Sequence, residues 1–266
     1  MTIIIKYPRQ TKEGNKVFFE KKDRELTNED WAKWGGWIAT DGTLTYTYAK
    51  KPQRWIKRVD LKLKDRQPVE LFSKTFETSL TDYLNKTITP EGVKHEITMH
   101  QAVLREEKAE WFTKNVYPYL IKQEKKDYAA KLLGYRPESK DFADCTPEEV
   151  IHYLATAVEG DGHYGLDKRG KNTGIYVKLI SRDVQYLSDV INLVDDKLGK
   201  LFSGISEKNT YTTKDGEEHH MYKANGYGSL NHNFDIFQSL VKDGVMTLDR
   251  KKQKVQEFVG RVWVAK

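Results

Sequence analysis

The sequence predicts an α+β fold made of two related halves, each in the order αββαββα and each with its own antiparallel sheet. Three observations predict it. The stretch WGGWIATDG at residues 34–42 returns in kind as LATAVEGDG at residues 154–162, which puts Asp41 and Asp161 120 positions apart (161 minus 41). The apolar stripe Trp31, Trp34 and Ile38, at i, i+3 and i+7, reappears as Ile151, Leu154 and Val158. Behind each stripe the same succession of strand, helix and turn patterns follows.

Taken in order, residues 1–26 have no counterpart in the second half and read as an extension, with a strand at KVFFE. The first helix opens at Thr27 with Asp30 three residues on; the second copy opens more strongly, with Thr146, Pro147 and Glu149 as N-cap, first-turn proline and capping box. RVDLKLKD alternates Val59, Leu61 and Leu63 against Arg58, Asp60, Lys62 and Lys64, and GIYVKLIS alternates Ile175, Val177 and Leu179 against Tyr176 and Lys178. Both are half-buried strands with a polar, mostly basic outer face. Helical patterns come next, at Phe72, Phe76 and Leu80 in one half and at Leu187, Val190, Ile191, Val194 and Leu198 in the other. Strand pairs punctuated by Pro-Glu-Gly and Lys-Asp-Gly turns follow, and each half closes on a lysine-rich helix. The halves are residues 27–134 and 146–266, joined by a linker at residues 135–145.

Composition narrows the partners. With 266 residues and 38% hydrophobic content the chain can bury a sizeable core. Charged residues make up 32% and the net charge is +6, with a pI near 9.0, so nucleic acid is the first candidate partner. A single cysteine, Cys145, excludes an intramolecular disulfide and a cysteine-based zinc site. No apolar run approaches the ~20 residues of a membrane span, and the start MTIIIKYPRQ is too short in apolar residues for a signal peptide. A soluble intracellular protein, of a prokaryotic cytoplasm or an organelle, is expected.

The paired glycines need a reason, because each costs a helix interior ~1 kcal/mol relative to alanine. Ala32, Gly35, Gly36 and Ala39 form a stripe without bulk, aligned with His152, Ala155, Thr156 and Glu159. Such a stripe lets two backbones approach closely. Gly35 and Gly36 are therefore expected to meet Ala155 and Thr156 in a helix-to-helix contact that relates the halves by a pseudo-twofold axis. Each stripe ends at Asp-Gly, where glycine is the expected residue just past a helix. A carboxylate there faces the negative end of a helix dipole, and two brought together repel each other. A divalent cation relieves both problems, with helix-end carbonyls as further hard oxygen ligands.

The two stretches resemble the paired motif of LAGLIDADG homing endonucleases. LATAVEGDG is a close match; in WGGWIATDG a tryptophan replaces the leading leucine and Ala39 replaces the first acidic residue, at a position expected only to cap or pack. The resemblance implies a monomeric enzyme whose two twisted sheets form a DNA-binding saddle. It would be a site-specific endodeoxyribonuclease that hydrolyses phosphodiesters with divalent metal and makes a staggered cut. It implies Asp41 and Asp161 as catalytic metal ligands, with the carbonyls of Thr40 and Gly160 as auxiliary ones. Mg2+ is the implied cofactor, with Ca2+ or Mn2+ as substitutes for binding or activity. Asp65 and Ser181 align with positions that organise water. Lys122 or Lys125 in the first half, and Arg250 or Lys251 in the second, align with a residue that stabilises transition-state charge. The implied DNA contacts are Arg58, Asp60, Lys62, Lys64, Tyr176 and Lys178. Double-stranded DNA is the expected partner. The alternatives are an RNA-binding intron maturase on the same fold, with intron RNA as partner, and a DNA-binding protein whose nuclease activity has decayed. His163 reads as a turn histidine, and His219 and His220 as surface or DNA contacts on opposite strand faces.

Overall fold

The computed structural model describes residues 9–10, 16–17, 26–51, 53–88, 94–167, 174–212 and 216–264. Two short strands, β1 (Arg9–Gln10) and β2 (Lys16–Val17), pair antiparallel; the rest of the strand expected at KVFFE lies outside the described residues.

Helix α1 (Asn28–Thr40) starts at a full capping box, in which the Thr27 hydroxyl accepts from the Asp30 N–H and the Asp30 carboxylate accepts from the Thr27 N–H. The chain continues through β3 (Gly42–Ala49), β4 (Arg54–Leu63), α2 (Arg66–Phe76), β5 (Leu80–Ile88), β6 (Lys94–Arg105) and α3 (Glu106–Val116). A 3-10 turn at Tyr117–Tyr119 leads into α4 (Gln123–Leu133). The second half repeats the order: α5 (Pro147–Asp161), β7 (Gly162–Asp167), β8 (Gly174–Ser181), α6 (Val184–Leu198), β9 (Phe202–Thr212), β10 (Glu218–Gly228), α7 (Phe234–Leu240) and α8 (Asp249–Val264). The sheets have equivalent antiparallel orders, β3-β4-β6-β5 and β7-β8-β10-β9. This is the α+β fold of two repeated halves that the sequence predicts.

The strand alternation holds. Leu44, Val59 and Leu61 are buried beneath the helices in one half, as are Ile175, Val177 and Leu179 in the other. The first core is aromatic, with Trp34 edge-on to Phe72 at 5.2 Å and Phe76 against Phe112 at 5.0 Å. Leu80, expected on the second helix, instead opens β5. The helix stops at Phe76 because Glu77 turns left-handed at φ 47°, its N–H bonded to the Ser73 carbonyl. Of the two turn signals, Pro-Glu-Gly lies outside the described residues, while Gly216 of Lys-Asp-Gly has φ +81° as such a turn requires.

Helices α1 and α5 make the most extensive helix-to-helix contact in the molecule. A Cβ on Gly36 would stand 2.6 Å from the Tyr153 carbonyl and 3.0 Å from the Ala157 nitrogen, so only glycine allows this approach. Thr156 seals it by donating to the Lys33 carbonyl at 2.8 Å. Gly35 behaves differently from expectation. Its open side faces Tyr119 of the 3-10 turn, whose carbonyl oxygen lies 2.9 Å from a built Cβ. The adjacent glycines, 100° apart around the helix, thus serve two different neighbours.

Gly42 and Gly162 also depart from expectation. Neither is a left-handed helix cap; Gly162 is extended at φ −132°, ψ −171°. Both open a strand that turns directly across its own helix. A Cβ would collide with Ile38 at Gly42, its Cα only 2.6 Å away, and with Val158 at Gly162, its Cα only 2.8 Å away.

Gly36→Ala should therefore destabilise the protein by ~1–3 kcal/mol through overpacking, read as a lower urea midpoint. Gly260→Ala, at an exposed position of α8 with open space around it, should instead raise stability by up to ~1 kcal/mol through helix propensity. Equal effects at the two sites would mean that the helix pair tolerates bulk.

Candidate active site

The α1–α5 contact brings the two motif ends together. A built Cβ on Gly160 would collide with Asp41 and Thr40, standing 2.7 Å from the Thr40 Cβ. Asp41 follows the last turn of α1, its N–H bonded to the Trp37 carbonyl at 2.9 Å, and Asp161 ends α5. The Thr40 hydroxyl lies 3.1 Å from the Gly36 carbonyl and 3.2 Å from the Asp41 carboxylate.

Electrostatics mark the pair. Burial first, and the charge of Asp161 next, push the Asp41 carboxyl up to about 6; Asp161 is raised by burial, opposed by Lys122, Lys125 and Lys251. Two mutually repelling carboxylates at two helix C-termini, both pushed toward protonation, are a hard-oxygen donor pair suited to Mg2+ or Ca2+. Among the described residues no group of three or more His, Cys, Asp or Glu side chains is arranged so that it could hold a metal ion. The other donors to such an ion would be carbonyls, as expected at Thr40 and Gly160, water and a phosphate oxygen.

Amines surround the carboxylates. Lys125, in the first turn of α4, donates to the Gly42 carbonyl at 2.6 Å. Lys251, at the same place in α8, donates to the Gly162 carbonyl at 2.9 Å and also to the carbonyls of Val158 and Glu159. These two lysines are structural counterparts, 126 positions apart (251 minus 125), as are the helix starts Gln123 and Asp249 (249 minus 123). Burial lowers the Lys125 amine and brings Lys251 down to about 8. Lys122 reaches the Ala39 carbonyl at 3.3 Å and lies over the Tyr186 ring. Its counterpart by the same offset is Leu248, so the three lysines are not distributed evenly.

Arg250 is placed differently. It forms a bidentate pair with Asp65 across the two halves, at 3.1 and 2.6 Å. The Asp65 carboxyl is held below the usual range chiefly by that bond. Asp65 is the N-cap of α2, so its structural counterpart is Asp183, the N-cap of α6. Ser181 ends β8 two residues earlier and accepts from the Asp183 N–H at 3.1 Å. Ser181 also lines an open cleft of about 420 Å³ with Lys122, Glu124, Asp161, Arg182 and Asp183.

One residue not assigned a role in the sequence explains how Lys251 is held. Glu159, buried and raised to about 7 by burial, accepts from the Thr247 and Leu248 N–H groups at 2.7 and 2.6 Å. It thereby fixes the backbone entering α8. Its counterpart Ala39 can make no such bond, as expected of a position that only caps or packs. The signal is present in the sequence as the first acidic residue of the second motif, but its partner lies 88 residues away.

The outward sheet faces carry the expected basic residues. Lys62 is exposed and lies 4.8 Å from the Tyr83 ring; Lys178 lies 5.0 Å from the Tyr176 ring; Lys64 is exposed just past β4. Asp60, expected as a contact, is buried and accepts from Arg58 and from Gln101, so its carboxylate braces the sheet. His163 is not in a turn. It sits on β7 opposite Lys178, on the outward face, its ring lowered by burial and by Lys254, Lys251, Lys178 and Arg250. His219 pairs with Glu217 and His220 with Glu207. Among the described residues no helix is long and apolar enough to cross a membrane.

No protein-family model and no curated protein sequence matches the chain. Solved structures similar to it include the LAGLIDADG meganuclease I-AabMI bound to uncleaved DNA, 11% identical with a TM-score of 0.46, covering 88% of this chain and 91% of that one. Also similar are the LAGLIDADG homing endonuclease I-GzeII in complex with its DNA target (11% identity, TM-score 0.47, 90% and 91% covered) and the homing endonuclease I-WcaI bound to its DNA recognition sequence (16%, 0.46, 86% and 87%).

Because the folded pKa of Asp41, about 6, lies above its ordinary value of 3.8, the folded chain binds an extra proton between those values. Stability from this group falls as pH rises through that window, and the cost is complete above it. Asp41→Asn should raise the metal-free unfolding free energy by roughly 2–3 kcal/mol at pH 8, with the gain vanishing near pH 4. Urea melts at the two pH values test this, and a gain independent of pH would assign the effect to something other than the buried charge.

Proposed function

We propose that this protein is a divalent-metal-dependent endonuclease acting on double-stranded DNA. The observation that carries the reading is the meeting of Asp41 and Asp161 at the ends of two packed helices, ringed by Lys122, Lys125 and Lys251. A carboxylate pair beside amines, with basic outward faces on the two sheets, suits a phosphodiester better than a neutral substrate. The motif resemblance supports the same reading.

In the reaction, water attacks phosphorus in line and the P–O3′ bond breaks. The attacking water loses its proton to solvent, the 3′ oxygen gains one, and the product ends are a 5′-phosphate and a 3′-hydroxyl. Asp41 and Asp161 would hold Mg2+, with the Thr40 and Gly160 carbonyls alongside; when bound, the ion supplies Lewis acidity toward the phosphate and acidifies water. Lys125 and Lys251 are held by carbonyls beside the carboxylates, where their charge opposes the charge building on the phosphate oxygens. Lys122 and Ser181 face the cleft beside Asp161, and Asp65 would orient water once Arg250 leaves it. Arg58, Lys62, Lys64 and Lys178 would neutralise backbone phosphates, with Tyr176 beside them. A monomer covering both strands with its two halves is the form this reading calls for, and a staggered cut is what the motif resemblance implies for it.

Asp41→Asn and Asp161→Asn should each lower magnesium-dependent double-strand cleavage by at least ~10²-fold. Binding of the same duplex in calcium, or without metal, should persist. A target selected from a random duplex library serves both assays. Wild-type cleavage by either variant would remove that residue from the site, and binding without cleavage by the wild type would favour the maturase or decayed-nuclease alternatives. Affinity should also fall steeply with salt, log Kd against log salt having a slope of roughly 4 if the four basic strand residues each displace a counterion. A flat response would mean that these cations are only a solvated face.

A further inference from the structure

The two flanks of the carboxylate pair are built differently. On one flank the starts of α2 and α8 are tied across the halves twice. Arg250 forks onto Asp65 at 3.1 and 2.6 Å, and Gln67 donates to the Asp249 carboxylate at 2.5 Å while accepting from the Asp249 N–H at 3.2 Å. On the other flank the equivalent residues turn back onto their own helices. Gln123, counterpart of Asp249, donates to Asp127, and Gln185, counterpart of Gln67, donates to Asp189. Glu124 stands where Arg250 stands on the first flank, facing a mouth that already contains Asp183. Lys126 faces Asp189 farther along the helices, and the mouth beside Asp161 stays open as the 420 Å³ cleft. A phosphate can enter the open flank without breaking anything, whereas entry on the tied flank must separate two paired contacts.

We propose that Gln67 and Asp249 are positioning residues that make the two strand cleavages sequential, the open Asp161 flank first and the tied Asp65 flank second. The inference rests on the endonuclease reading. Neither residue touches the carboxylate pair; each acts by holding the starts of α2 and α8 together and so keeping Arg250 on Asp65. The tie is charge-sensitive, because one of its partners is the Asp249 carboxylate. Gln67→Glu puts two carboxylates in contact and loosens it; Gln67→Lys replaces a neutral contact by an ion pair and tightens it. Gln67 is exposed at the first turn of α2, so both variants fold.

The test uses the full chain, magnesium chloride, and a library-selected duplex labelled differently on each strand. The wild type should cut one strand roughly tenfold faster than the other, which corresponds to about 1.4 kcal/mol between the barriers, with a nicked intermediate accumulating. Gln67→Glu should raise the slow-strand rate several-fold and leave the fast strand unchanged, shrinking the ratio; Gln67→Lys should enlarge it. A residue that merely stabilised the fold would move both strands together. Equal strand rates in the wild type, or both variants shifting the ratio in the same direction, overturn the proposal while leaving the endonuclease reading intact. A wild type that binds the duplex and cuts neither strand overturns both.

Discussion

The close approach of α1 to α5 is the constraint on which the rest of the structure depends. Two helices meet at backbone distance only where side chains vanish, and Gly36 and Gly160 supply that absence at two points along the contact. The first admits Tyr153 and Ala157; the second places Thr40 and Asp41 against the end of α5. A carboxylate pair made this way is electrostatically unfavourable by itself, since burial and like charge both oppose ionisation. The fold tolerates it because the helix contact, the Thr156 bond to the Lys33 carbonyl and a hydrophobic core that takes in both helices hold them there regardless. Such an arrangement stores electrostatic strain that a cation would relieve.

The lysines carry the second layer of the arrangement. An ammonium bonded to helix-end carbonyls satisfies backbone groups that a helix terminus leaves over, and at the same time stands next to the carboxylates. Lys125 does this with one carbonyl and Lys251 with three. The difference traces to a single motif position. Glu159 pins the approach to α8, so Lys251 is drawn deep and is only 5% exposed. Ala39 pins nothing, and Lys122 comes in over the Tyr186 ring to fill the equivalent region. Equal topology in the halves thus coexists with unequal chemistry at their junction.

The outer sheet faces show a restraint that net charge does not reveal. Of the expected contacts, Lys62 and Lys178 lie over aromatic rings and Lys64 is exposed, while Arg58 is held by the buried Asp60. A braced guanidinium is a fixed donor with little conformational entropy left to lose on binding. On the proposed DNA-binding reading, loose lysines and one preset arginine would divide the work between attraction at a distance and a defined register.

Much of this was legible in the residue order. The repeated stripes, the strand alternation and the capping residues are local signals, each set by a helical or strand period and a few chain neighbours, and they determined two αββαββα halves with Asp41 and Asp161 at matching helix ends. Local signals could not say which face of the helix each glycine served, so Gly35 turned out to meet Tyr119. Nor could they show that Gly42 and Gly162 are extended residues pressed against Ile38 and Val158, where a helix stop was expected. Leu80 kept the helical spacing yet left the helix, because a left-handed Glu77 ended it first. The choice among Lys122, Lys125, Arg250 and Lys251 also needed the tertiary structure: a net six extra residues within the second half shift the counterpart offset from 120 to 126 (161 minus 41; 251 minus 125). Only three-dimensional proximity decided that Glu159 reaches Leu248, that Arg250 is tied to Asp65, and that one flank of the carboxylate pair is tied across the halves while the other opens as a cleft. Those bonds span 89 and 185 residues, a separation across which no periodicity in the sequence carries information.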